Sequence, residues 1–268
     1  MKRQLISVLA ALGLFVAAMV VGEFVPALRP YLPDFAGFLS GIAGENPPRA
    51  APANNTTTAR KAAAPVARAR VQEAVLALSW QAAFCETAPE KSECKTQEAG
   101  RYDATNFALH GLWPEAENCS STPYSNVPDK LWQAMRTGMP GTASGLHKHE
   151  WARHGTCYSD TPERYFADSL RLVTAFNQTP IRDLFKQNIG RFVSARDIRE
   201  RFDSVFGRGA GDRVLVDCVR DGERTLIREL RVRLNGDLGS ANLPVLLKQA
   251  RPQKQGCRGG IVDAVGLD

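Results

Sequence analysis

Residues 194–235 read SARDIRERFDSVFGRGAGDRVLVDCVRDGERTLIRELRVRLN, and the hydrophobic period changes within this stretch. Ser194 and Asp197 cap a helix that runs through Ile198, Phe202 and Val205 to Gly207, a residue suited to ending it. From Arg213 to Val219 the chain turns strand-like, and Leu226, Leu230, Val232 and Leu234 then alternate with charged positions as in a half-buried strand. Upstream, Thr161-Pro162-Glu163 supplies a cap, a first-turn proline and an early acid. The stripe Tyr165, Phe166, Leu170, Val173 and Phe176 that follows reads as core and not as a cofactor site. Val75 to Trp80 and Phe107 to His110 are short apolar segments that read as strands, the second stopped by Gly111. Between them, Glu86 to Tyr102 is polar and reads as a locally stapled surface loop. Helices and strands interleave irregularly and without repeats, so the expected class is α+β, a mainly antiparallel sheet with flanking helices.

The 268 residues, 44% hydrophobic, suffice for one well-buried domain. Behind Lys2-Arg3, Leu5 to Gly22 runs 18 residues without a charge, the pattern of an export signal or a membrane anchor. Val20 and Gly22 permit cutting before Glu23, whereas Lys2-Arg3 would equally hold an uncleaved anchor with its amino end inside. Either way the rest is exported, to a periplasmic or secreted location or as a membrane-anchored domain. Glu45 to Arg70 holds nine Ala, four Pro and no aromatic residue, so it cannot bury a core and reads as a linker. The expected organisation is thus 1–44 signal or anchor with its flank, 45–70 linker and 71–268 catalytic domain. Five basic residues against one acid make the linker cationic, whereas 71–268 balances 26 against 25. The pI of 9.1 therefore belongs mostly to a solvated spacer, and any phosphate footprint on the folded part must be local. All six cysteines (Cys85, Cys94, Cys119, Cys157, Cys218, Cys257) lie beyond the linker, an even number that favours three disulfides in an exported chain. Six cysteines allow about 15 pairings, and spacing alone does not choose among them. No CxxC pair suggests a zinc ribbon or redox motif.

All four histidines fall in two segments: His110 in FALHGLWPE (107–115), and His147, His149 and His154 in LHKHEWARHGTC (146–157). The second sets groups that titrate near neutral pH beside a carboxylate and cations. On a helix at about 100° per residue, Glu150 and His154 lie within about 40° of each other, as do His149 and Arg153. His149 and His154 are about 140° apart, so the segment is a poor zinc helix. His147-x-His149 on an extended segment remains a metal-site alternative that chelation would test, although His147 alone reads as a packing histidine. Two imidazoles, a carboxylate, a fixed cation and an aromatic suit in-line transfer of a phosphodiester onto its own 2′-oxygen. One imidazole removes the hydroxyl proton and the other protonates the leaving oxygen. Arg153 and His149 offer donors for the charge that develops on phosphorus without a metal. Trp113 offers a stacking face for a base, although core packing suits it as well, and Trp151 reads as core facing away from Glu150. An exported binding or toxin-like module is the rival of another class, and loss of His110, Glu150 or His154 would have favoured it.

HGLWP at 110–114 and HEWARHGTC at 149–157 resemble the two active-site segments of the ribonuclease T2 family, and LALSW at 76–80 leading to Cys85 resembles its first strand. The likeness spans Val75 to about Cys257. It implies an α+β fold, cleavage of RNA with little base specificity through a 2′,3′-cyclic phosphate, and no metal; the expected activity is that of an endonuclease on single-stranded RNA, with no cofactor expected and no obligate protein partner inferred. By position His110 resembles the general acid and His154 the general base. His149, Glu150 and the cation at 153 resemble the phosphate and transition-state group, and Trp113 the aromatic near the scissile phosphate. The family also suggests the pairings Cys85 with Cys94, Cys119 with Cys157, and Cys218 with Cys257. Two departures stand out: Arg153 replaces the usual Lys, which bears on rate, and Glu115 stands where Asp is frequent, which bears on base preference.

Overall fold

The computed structural model describes residues 73–116 and 119–267, so the expectations for residues 1–44 and 45–70 lie outside the described residues. The strands are β1 (Glu73–Ser79), β2 (Ala108–Pro114), β3 (Phe192–Ser194), β4 (Val214–Asp221), β5 (Arg224–Asn235) and β6 (Gly259–Ile261). β5 is the axis of the sheet, pairing antiparallel with both β1 and β4 and parallel with β6, in the order β2-β1-β5-β6-β3. The mainly antiparallel sheet of an α+β fold is therefore present.

Side chains alternate across these strands. Leu76 and Leu78 of β1 face the same side as Leu112 of β2 and Leu230 and Val232 of β5, and all five are fully buried. Burial of each such side chain stabilises the fold by about 1.5–3 kcal/mol. The opposite side carries Trp113, Gly111, Ser79, Glu229, Arg231 and Arg233. Two bulges interrupt the ladders. Ala77 pairs with Gly111 but Leu78 with Leu109, which leaves His110 as the extra residue. Asp217 pairs with Glu229 but Cys218 with Ile227, which leaves Arg228 extra.

The helices are α1 (Gln81–Thr87), α2 (Ser92–Lys95), α3 (Asp129–Gly138), α4 (Leu146–Glu150), α5 (Thr156–Tyr158), α6 (Pro162–Asn177), α7 (Pro180–Gln187), α8 (Ala195–Phe206) and α9 (Leu243–Gln249). Both expected caps are in place: the Thr161 hydroxyl accepts from Arg164 N at 3.4 Å to start α6, and the Ser194 hydroxyl from Asp197 N at 3.0 Å to start α8. The stripe of α6 packs on the leucine side of the sheet, where the buried Tyr165 hydroxyl donates to Leu112 O at 2.9 Å.

Three details depart from the sequence reading. β2 does not stop at Gly111 but runs through it to Pro114. The polar segment 86–102 holds the end of α1 and all of α2 instead of a plain loop. The helix around Glu150 is α-helical only to that residue, and Trp151–Gly155 then forms a π-helical turn. Three disulfides join Cys85 to Cys94, Cys119 to Cys157 and Cys218 to Cys257.

Candidate active site

The bulge at His110 decides where its imidazole points. Strict alternation from Trp113 and Gly111 would turn residue 110 toward the leucine side, and the inserted residue lets His110 join the polar side instead. There Nδ1 lies 2.6 Å from Glu229 Oε2 and Nε2 lies 3.7 Å from Glu150 Oε1. Gly111 beside it has no room for a side chain, because a Cβ would come within 2.0 Å of Glu150 Oε2 and 2.6 Å of Trp113 Nε1. That vacancy admits the 2.8 Å hydrogen bond from Trp113 Nε1 to Glu150 Oε2.

Glu150 is buried at the end of α4, and its partners are on β2 rather than one turn along its own helix, as the helical wheel had suggested with His154. The π turn after it carries Trp151 inward, where the ring is fully buried and donates to Thr122 O at 2.8 Å, as the packing reading expected. The turn also presents a half-buried His154 beside Trp113, with ring centroids 5.5 Å apart. His110 approaches Trp113 edge-on at 5.2 Å, and the Arg231 guanidinium lies 5.3 Å over the indole. The ring expected as a base platform is thus flanked by both imidazoles and a cation. Gly155 in the π turn also lacks room for a side chain, since a Cβ there would meet the Trp151 ring at 2.4 Å.

His149 and Arg153 are solvent-exposed, and both lie close enough to His154 for their charges to act on it. His149 lines a cleft of about 410 Å³ together with His110, Leu146, Glu229 and Arg231. His147 is elsewhere, buried and packed edge-on between Tyr124 at 5.1 Å and Trp132 at 5.0 Å, which matches a packing histidine. Glu115 has both carboxylate oxygens engaged, Oε1 by Arg233 at 2.6 Å and Oε2 by Arg251, and Glu73 shares the same two arginines. Among the described residues no three His, Cys, Asp or Glu side chains converge in a way that would hold a metal ion.

The two catalytic candidates are driven in opposite directions. Burial by itself would lower the His110 pKa, but the hydrogen bond and charge of Glu229, with the charge of Glu150, outweigh burial and the opposing Arg231 and hold it above the ordinary value. His154 has no such partner among the described residues: burial, then the charges of Arg153, His149 and His110, lower it to about 4. Burial raises Glu150 above the usual carboxylate range, against the pull of His110 and the Trp113 hydrogen bond. One imidazole is therefore biased toward its protonated form and the other toward its neutral form. Glu229 and Arg231 are the site residues that the sequence reading missed. They sit among Arg228 and Arg233 in a run that reads as an ordinary solvated strand face, and only the pairing of β5 with β1 brings them under His110.

The sequence pattern of the Ribonuclease T2 family matches residues 72–242. Ribonuclease I of Escherichia coli K12 is 26% identical over 218 residues, which cover 67% of this chain and 80% of that protein. Ribonuclease Oy of Magallana gigas is 27% identical over 206 residues, covering 67% and 91% respectively. In fold the chain resembles the self-incompatibility SF11-RNase of Nicotiana alata, with a TM-score of 0.52 at 20% identity over 70% of this chain and 94% of that one. It also resembles a variant of RNase MC1 in complex with 5′-UMP, with a TM-score of 0.51 at 16% identity over 72% and 99%. The family pattern runs from the first strand through both histidine segments and across β5, so the chain belongs to the Ribonuclease T2 family and is an RNA-cleaving endoribonuclease.

Proposed function

We propose that this endoribonuclease cleaves single-stranded RNA with little base specificity by turning the substrate's own 2′-hydroxyl on the adjacent phosphorus, without a metal. The observation that carries the reading is the opposite poise of two imidazoles on either side of one indole. Neutral His154 takes the 2′-hydroxyl proton as the 2′-oxygen bonds to phosphorus. His110 gives its Nε2 proton to the departing 5′-oxygen as the P–O bond breaks, which leaves a 2′,3′-cyclic phosphate and a 5′-hydroxyl. The exposed His149 and Arg153 donate to the phosphate oxygens, where negative charge accumulates. Glu150, bonded to Trp113 and close to His110, holds the aromatic and the acid in one arrangement. Trp113 and Glu115 are the proposed substrate contacts, Glu115 after exchanging the exposed Arg251 for a base edge. For location, the uncharged run 5–22 and the three disulfides support a periplasmic or secreted domain, with retention of 5–22 as a membrane anchor as the alternative. Incubation of the protein with an RNA oligonucleotide in EDTA should yield cyclic-phosphate ends, while the same sequence as DNA survives. Comparable cleavage of the DNA, or loss of activity in EDTA, would overturn the mechanism.

A further inference from the structure

Glu229 is 3% exposed in the middle of β5, and a buried carboxylate is costly unless each oxygen finds a partner. Arg231 Nε donates to Oε1 at 2.7 Å. Oε2 meets His110 Nδ1 at 2.6 Å, with the Ser79 hydroxyl at 3.5 Å. If Glu229 served only to neutralise Arg231, its second oxygen would not have to meet an imidazole that leaves strict strand alternation at a bulge. The contacts also close on themselves: His110 to Glu229, Glu229 to Arg231, Arg231 over Trp113, Trp113 to Glu150, and Glu150 back to His110.

We propose that Glu229 is a positioning residue for RNA cleavage: its carboxylate accepts the Nδ1–H of His110, fixing the ring and leaving the transferable proton on Nε2. This rests on the reading of His110 as the acid. A ring nitrogen with a permanent acceptor carries its hydrogen there, so the other nitrogen is the one that exchanges protons with substrate. The arrangement also favours the charged imidazolium between two carboxylates. Among the described residues, the charged and titratable groups that act on His110 are Glu229 and Arg231 from β5, Glu150 from the end of α4 and His154 from the π turn, and His149 of α4 and Arg228 of β5 line the same cleft. Arg231 opposes the two carboxylates, and its bond to Glu229 tempers their effect.

The test is Glu229→Gln, close to isosteric, with Glu229→Asp beside it, in the disulfide-bonded protein. In Glu229→Gln the alkaline limb of kcat should move down by about one pH unit, kcat should fall at least about tenfold and KM should stay within about threefold. The His110 titration followed by NMR should move down with the limb, and Glu229→Asp should recover part of both. An unmoved alkaline limb and an unmoved His110 titration in folded Glu229→Gln overturn the proposal. In the unaltered protein, imidazole nitrogen spectra should show His110 Nδ1 protonated throughout, and an Nδ1 that loses its proton first also overturns it, whether or not either variant folds. These titrations need no turnover. Full activity in His110→Ala would remove the acid reading, while the His110 spectra still report on the Glu229 contact.

Discussion

At the scale of residues, the surroundings of His110 and His154 drive the two imidazoles in opposite directions. On the proposed mechanism, His110→Ala and His154→Ala should each lower kcat by about a hundredfold or more, because each removes the carrier of one proton transfer. Activity in either variant close to that of the unaltered protein removes that residue from the chemistry. The pH profile should be a bell. His154 must be neutral to act as base, so activity rises as pH passes about 4, and His110 must be protonated to act as acid, so activity falls as pH passes its raised pKa, above 6.5. A profile whose alkaline limb falls below 6.5 would contradict the contact with Glu229 and Glu150. Arg153→Lys keeps the charge and should cost little. Arg153→Ala should lower kcat more than it raises KM, measured on a dinucleotide at saturating substrate, because the charge it meets develops chiefly in the transition state. His110, His149, Glu150, Arg153 and His154 stood out as candidates in the sequence because titratable residues packed so closely are hard to explain by packing alone. Glu229 did not, since its meaning depends on a partner 119 residues away in sequence.

Elements were legible where local chemistry determines them. Thr161 and Ser194 announce their helices because a cap is a contact between neighbours in sequence. The bulge at His110 and the π turn at Trp151–Gly155 left no local signature, because each answers to a distant strand or side chain. Gly111 shows the difference: read as a strand stop, it is an interior strand position kept empty for the Glu150 carboxylate. Gly111→Ala should therefore destabilise the protein by about 1–3 kcal/mol and depress activity further than stability alone explains, since Glu150 and Trp113 must both move. Denaturant midpoints and kcat measured on the same preparation check this. An alanine variant with unchanged midpoint and rate would mean that the Glu150 side chain has room to retreat.

Across the whole molecule, the fold class followed from the change of hydrophobic period after Gly207, whereas the disulfide pattern needed the resemblance, since six cysteines in sequence leave their partners open. The Cys119–Cys157 bond closes 38 residues between the loop after β2 and the helical segment after His154. Such a link contributes about 2–4 kcal/mol, so Cys119→Ser with Cys157→Ser should lower the melting temperature and reduce activity together. Full rate and unchanged melting in the double variant would show the bond to be dispensable. The same bond has a consequence for the cell that makes the enzyme. His110 and His154 arrive on separate segments of the chain, and part of what joins those segments is a bond that forms only where thiols oxidise. A copy held among reducing thiols would lack that bond, so the cell's own transcripts would meet a nuclease whose two histidine segments are less firmly joined.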